Sequence, residues 1–433
     1  MNIGKAKEEI RKTVEIYLDK NKNGEYSIPM MKQRPLFLIG APGIGKTAVV
    51  EQVANELGIG FVSYSMTHHT RQSAIGLPYI EKRDYDEKEV RISEYTVSEI
   101  IASVYDAAKL GGHKEGILFL DEINCVSETL FPALLQFLQY KSFGNHKLPE
   151  GWVIVTAGNP PCYNRFVREF DISVLDRIKI IRVEESLEAW MPYAHENRIH
   201  GAILTFLELE PSCFYHIETD EEGPKYVTAR GWEDLSLALG LYEKKDFDVD
   251  SVLIGQYLTD PDIAGKFEIF YRLYDGCRQR YPVEDILSGK AGEDISTGAK
   301  DAPFDERLAV LELIFDRLSA DFSCVLGGSS VPEGSSVPEE SSAPEESSVP
   351  EKEKMSPEWA KERLEAAFRF LEGAWGQGQE LSFFLTLLTT GKDSAGFIAR
   401  YGSESYLKFG EKLMTFDRKE KLRREIIKSY SEK

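Results

Sequence analysis

Apolar positions along this chain follow two rhythms, which change over near residue 184. Upstream, short and largely apolar runs at Leu36–Ile39, Gly60–Tyr64, Ile117–Leu120 and Val153–Thr156, with Lys179–Val183 as a fifth, alternate with amphipathic stretches. Runs of that length suit strands buried on both faces, and their alternation with helical stretches predicts a parallel sheet with helices on both faces. The opening MNIGKAKEEIRKTVEIYLDK alternates charge at helical spacing. Ala74–Tyr95 has a charged centre flanked by β-prone residues, which predicts a hairpin of Tyr79–Lys82 against Val90–Glu94. From Glu184 the strand signal fades, and helical spacing through Asp248–Asp275 and Phe304–Phe322 predicts a helical second domain.

Residues 329–351 repeat a six-residue unit of Ser, Pro and Glu, as in SSVPEG and SSVPEE. Such a segment has nothing to bury and its prolines resist helix, so it reads as a disordered linker; a docking or phosphorylation site is the other reading. Ser356-Pro357-Glu358 then carries an N-cap serine, a first-turn proline and an acid at the positive end of a helix. Ala360, Leu364, Ala367, Phe368, Leu371 and Trp375 follow on one face. The expected organisation is an α/β domain over 1–183, an α-helical lid and extension over 184–326, a linker over 327–356 and a small α-helical C-terminal module over 357–433. That module either packs on itself or binds a partner, and it ends in a basic stretch, Arg418–Lys428.

Charge narrows the function classes. A net charge of −20 and a pI near 5.0 repel polyanions, so nucleic acid is disfavoured and only the basic tail speaks for it. Five scattered cysteines without a C-x-x-C pair fit a reducing compartment and no zinc cluster. No stretch approaches eighteen apolar residues and the N-terminus lacks an apolar signal segment, so the expected location is cytoplasmic, with no membrane insertion.

The chemistry begins at Gly40-Ala41-Pro42-Gly43-Ile44-Gly45-Lys46-Thr47-Ala48, a complete G-x-x-x-x-G-K-[ST] pattern between a predicted strand and a helix that closes at Gly58. Glycines let backbone N–H groups wrap phosphates, Lys46 bridges the β- and γ-phosphates, and Thr47 ligates Mg2+. Asp121 and Glu122 end an apolar run, where a parallel sheet presents groups to a ligand. Asp121 there suits a magnesium-bound water, and Glu122 suits polarising the attacking water of ATP hydrolysis. Asn159 follows a third run and could reach the γ-phosphate if its strand lies between the other two; before two prolines it equally suits a turn. No N-K-x-D segment argues for GTP.

Taken together, these residues resemble the AAA+ superfamily of P-loop ATPases, and within it the MoxR-like ATPases, over roughly residues 30 to 240. The anchors are GAPGIGKT as Walker A, GILFLDEIN as Walker B, TAGNPP as sensor 1, VLDRI as the arginine-finger segment and TARGW as the sensor 2 segment. The resemblance implies that Asn159 is the sensor 1 residue, that Arg177 acts on a neighbouring subunit's ATP, with Arg168 as the other candidate, and that Arg230 reaches back from the lid. It also implies a ring, hexameric in this family, a pore-facing insertion at Ala74–Tyr95, and a protein client that could be a von Willebrand A-domain protein. The remaining alternatives are a nucleic-acid motor and an ATP-binding scaffold without turnover; intact Lys46, Asp121 and Glu122 argue against the scaffold.

Overall fold

The computed structural model describes residues 1–326 and 356–410, apart from 69, 86, 87, 164–166, 169, 220, 222 and 377. The repeat segment and the basic stretch Arg418–Lys428 lie outside the described residues. The chain divides into two compact units, one of Met1–Trp190 with Thr228–Gly231, the other of Met191–Val227 with the described residues from Trp232 onward.

The first unit contains β1 (Leu36–Gly40), β2 (Gly60–Ser65), β3 (Pro78–Tyr85), β4 (Lys88–Tyr95), β5 (Gly116–Asp121), β6 (Ser142–Phe143), β7 (His146–Lys147), β8 (Trp152–Gly158) and β9 (Lys179–Val183). Five of them form one parallel sheet in the order β2-β5-β8-β1-β9. Every residue of β8 is buried, as are Ile117–Leu120 of β5, whereas the edge strands β2 and β9 are only partly covered. This gradient explains why the central runs are unbroken in apolar character. Helices Ile3–Leu18, Lys46–Leu57, Glu99–Lys109 and Phe131–Tyr140 turn apolar faces inward, through Ile10 and Val14, Val50 and Val53, Ile101 and Val104, and Leu134 and Phe137. All five expected strands are present. So is the hairpin, longer than expected: β3 pairs antiparallel with β4 from Pro78↔Tyr95 to Tyr85↔Lys88.

The described residues of the second unit are helical or in loops except for the hairpin of β10 (His216–Thr219) and β11 (Pro224–Val227). One aromatic cluster joins Phe206, Trp232, Phe267 and Phe270, with ring centroids 5.3 to 5.8 Å apart. The long helix Phe304–Leu326 is buried on nearly every side between Leu308 and Phe315, and it also buries Leu318 and Phe322. Here the structure differs from the sequence reading, which set residues 357–433 apart as a module. Helices Pro357–Trp375, Gln379–Thr390 and Lys392–Tyr401 pack on Phe304–Leu326 within the same unit. Phe322 stacks on Phe397 with centroids 4.4 Å apart, and buried Arg363 donates to Asp321 at 2.8 Å. A helix buried on every side needs cover on every side, and the terminal helices supply part of it. The sheet unit also runs to Trp190 rather than 183, and reclaims Thr228–Gly231. No described helix is long and apolar enough to cross a membrane.

Candidate active site

Strands β1, β8 and β5 are neighbours in the sheet, and each delivers part of one site at its C-terminal end. Beyond β1, Gly43 and Gly45 adopt φ of 73° and 86°, the left-handed region that side chains resist. Gly45 caps the helix Lys46–Leu57, whose first-turn N–H groups have no partner inside the helix and suit an anion. Ala41 and Ile44 of the loop are buried, Pro42 is half-buried, and Ala48 is exposed on the first turn.

Lys46 is only 8% exposed. Its Nζ donates to the carbonyls of Gly40 and Ala41 at 2.9 and 2.8 Å and to Asn159 Oδ1 at 2.9 Å. Burial pushes its pKa from 10.5 down to about 8; Asp121 and Glu122 oppose this, while the charge of Arg230 adds to it. A cation held by neutral acceptors gains energy when a polyanion arrives.

The Thr47 hydroxyl donates to Asp121 Oδ2 at 3.0 Å, and Asp121 Oδ1 accepts the Glu122 N–H at 2.9 Å. Glu122 has φ 55°, a conformation costing a non-glycine residue about 1–3 kcal/mol and held only when its surroundings enforce it. Two backbone bonds enforce it: Ile123 N–H donates to Ala157 O at 3.0 Å, and Cys125 N–H donates to Glu122 O at 3.0 Å. The Glu122 carboxylate accepts from Thr67 Oγ1 at 2.9 Å and Ser65 Oγ at 3.4 Å, both at the end of β2.

Sequence reasoning assigned no role to Ser65, Thr67 or Asn124. Asn124 is buried and donates from Nδ2 to Asn159 O at 2.8 Å, while its own carbonyl accepts the Arg168 N–H at 2.8 Å. A Cβ on Gly158 would collide with it. The only signal available was the Asn of the quoted GILFLDEIN segment; hydroxyls at a strand end carry none.

The arginines divide. Arg168 is engaged within its own chain, donating to Glu128 Oε1 at 2.7 Å with its guanidinium 5.9 Å from the Phe131 ring. Arg177 is exposed, and no side-chain hydrogen bond or ion pair to it is seen among the described residues. Arg230 is exposed in the first turn of helix Ala229–Lys244, and its charge is felt at Lys46. The preceding Thr228 side chain sits 2.8 Å from where a Cβ on Gly43 would lie, which is why this segment belongs to the sheet unit. Lys46, Thr47, Asp121, Glu122, Asn159 and Arg230 are thus gathered around one loop, and Arg177 stands apart from them.

Residues 36–173 match the family described as ATPase family associated with various cellular activities (AAA). The chain is also similar to Lon protease 2 of Borreliella burgdorferi, at 29% identity over 285 residues, which is 56% of this chain and 33% of that protein. It therefore spans about one third of that relative's length. The matched region covers β1 through β8 and every residue of the loop and the acidic pair, and it identifies an AAA+ ATPase domain on the parallel sheet.

Proposed function

We propose that the chain hydrolyses Mg-ATP as a MoxR-like ring ATPase, hexameric, and uses the cycle to remodel a protein partner. The observation that carries this is the convergence of Lys46, Thr47, Asp121, Glu122 and Asn159 at the ends of three adjacent parallel strands. Lys46 exchanges neutral acceptors for the β- and γ-phosphates of the substrate. Bound Mg2+ supplies counter-charge to those phosphates, and the donors fitting it are Thr47 Oγ1 and, through water, Asp121, 3.0 Å apart. Glu122, oriented by Thr67 and Ser65, polarises the attacking water and accepts its proton. Asn159, with its carbonyl fixed by Asn124, positions that water and the γ-phosphate.

Arg177, unengaged within its own chain, supplies positive charge to the ATP of a neighbouring subunit, a role Arg168 is less free to take. Arg230, whose charge is felt at Lys46, meets the bound nucleotide from the first turn of its helix. The hairpin of β3 and β4 exposes Tyr79 and Val90 on one face and Ile80 on the other, apolar side chains suited to contact with a protein client such as a von Willebrand A-domain protein. The test combines phosphate release with light scattering on the full chain with and without ATP. Hydrolysis together with ATP-dependent assembly is expected; a chain that binds ATP yet stays monomeric and releases no phosphate sinks the proposal.

A further inference from the structure

The helical unit contains a group of side chains that the ATPase reading does not use. Helices Leu187–Glu196, Gly201–Leu209 and Phe304–Leu326 bring together His195, Glu208 and Glu312. One donor atom of each, an imidazole nitrogen and two carboxylate oxygens, lies within 4.8 Å of the others. Glu312 is 0% exposed, and neither of its carboxylate oxygens has a hydrogen-bond partner. A carboxylate buried that way is costly unless something compensates it. Among the described residues no Lys or Arg pairs with Glu208 or Glu312. The nearby arginines are committed elsewhere, Arg278 to Glu243 at 2.6 Å and Arg198 to Asp393 at 3.3 Å.

A cavity of about 320 Å³ opens beside the group, lined by His195 itself and by Leu204 and Asp316. Leu204 lies one helical turn from Glu208, and Asp316 one turn from Glu312, so the cavity runs along the same helix faces. Of the three side chains, His195 is the one that faces this cavity.

We propose that His195, Glu208 and Glu312 bind one divalent transition-metal ion of the Zn2+ class inside the helical unit. Two carboxylates neutralise a divalent ion, and the imidazole selects first-row transition metals over Mg2+ and Ca2+, which take all-oxygen sets. Bonds of about 2.0–2.2 Å require the three donor atoms to draw in by roughly an ångström, within reach of side-chain torsions. Three protein ligands leave a position for water. The ion would brace three helices from three stretches of chain, and this inference stands whether or not the ring-ATPase reading holds.

The test uses the full chain, stripped of metal by chelator and free of nucleotide. Calorimetry with Zn2+ alone should show one site per chain, and Zn2+ should raise the unfolding temperature. E312Q and E208Q, which keep side-chain volume, should lose both the stoichiometric site and the thermal shift. Because the chain has exposed cysteines at Cys162 and Cys324, Co2+ provides a variant-independent measurement: the site predicts a d–d spectrum without a thiolate charge-transfer band. No stoichiometric binding, binding that persists in E312Q, or a thiolate band in the Co2+ spectrum would each overturn the proposal.

Discussion

Lys46 carries a charge that the folded protein holds at a cost, and Lys46→Met measures that cost and its purpose together. A pKa lowered from 10.5 to about 8 by burial corresponds to about 3 kcal/mol of destabilisation borne by the charged form. Below about pH 8 the lysine is protonated in both folded and unfolded chains, so the penalty is fully present. Between about 8 and 10.5 the folded chain has released the proton and the unfolded chain has not, so stability rises with pH. Above that window both are neutral and the penalty is gone. Methionine removes the charge but also leaves the carbonyls of Gly40 and Ala41 and the Asn159 amide oxygen without a donor. The absolute stability difference near neutrality therefore mixes two opposed effects, while its change with pH isolates the charge.

Urea denaturation of both nucleotide-free proteins across this range should show wild type gaining about 3 kcal/mol relative to Lys46→Met as pH rises through the window. Other titrating groups are common to both proteins and cancel. Calorimetry should show the variant binding Mg-ATP roughly tenfold to a hundredfold more weakly, the value of hydrogen bonds to a charged group. Wild-type affinity should itself decline above about pH 8, because binding then has to restore the proton. A stability difference flat with pH, or unchanged ATP affinity, refutes the reasoning.

Other expectations follow from the same site and from the helical unit. Glu122→Gln keeps the hydrogen-bonding shape towards Thr67 and should retain ATP while losing turnover, read as phosphate release; near-normal release removes Glu122 from catalysis. Arg177→Ala should bind ATP almost normally and hydrolyse it about 10³-fold more slowly, with partial recovery on mixing with Glu122→Gln if the arginine acts across subunits; a fully active single variant shifts attention to Arg168. Arg363→Ala removes the buried bond to Asp321 and the one to Glu284 and leaves Arg317, 3.5 Å away, as the remaining partner of Asp321, so the helical unit should lose about 1.5–3 kcal/mol in urea denaturation, and a loss under about 0.5 kcal/mol would show that this buried pair does not hold the terminal helices.

The sheet was legible because its central strands are buried on both faces, so β5 and β8 read as uninterrupted apolar runs whatever their neighbours. The phosphate loop was legible for a different reason: its glycines, lysine and threonine are adjacent in sequence, and the φ values of Gly43 and Gly45 match what that spacing demands. What escaped depends on contacts between distant stretches. Nothing near Thr67 announces that its hydroxyl meets a carboxylate 55 residues away. The return of Thr228 to Gly43 and the docking of Phe397 on Phe322 are equally silent in local pattern. The amphipathic face of Pro357–Trp375 was visible, but periodicity states only that a face is covered and not by what.

The reclaiming of Thr228–Gly231 by the sheet unit has a consequence for the order of assembly. The chain passes from one unit to the other three times, after Trp190, after Val227 and after Gly231, so no single cut separates them. During synthesis the five sheet strands have all emerged by Val183, yet the piece bearing Thr228 and Arg230 comes some forty residues later, after only the first stretch of the helical unit, Met191–Val227. A nascent chain thus has a phosphate loop before it has the residues that lean on that loop. Nucleotide capture is expected to lag behind sheet formation, and release of chains arrested before and after residue 231 should separate a folded sheet from one competent to hold ATP.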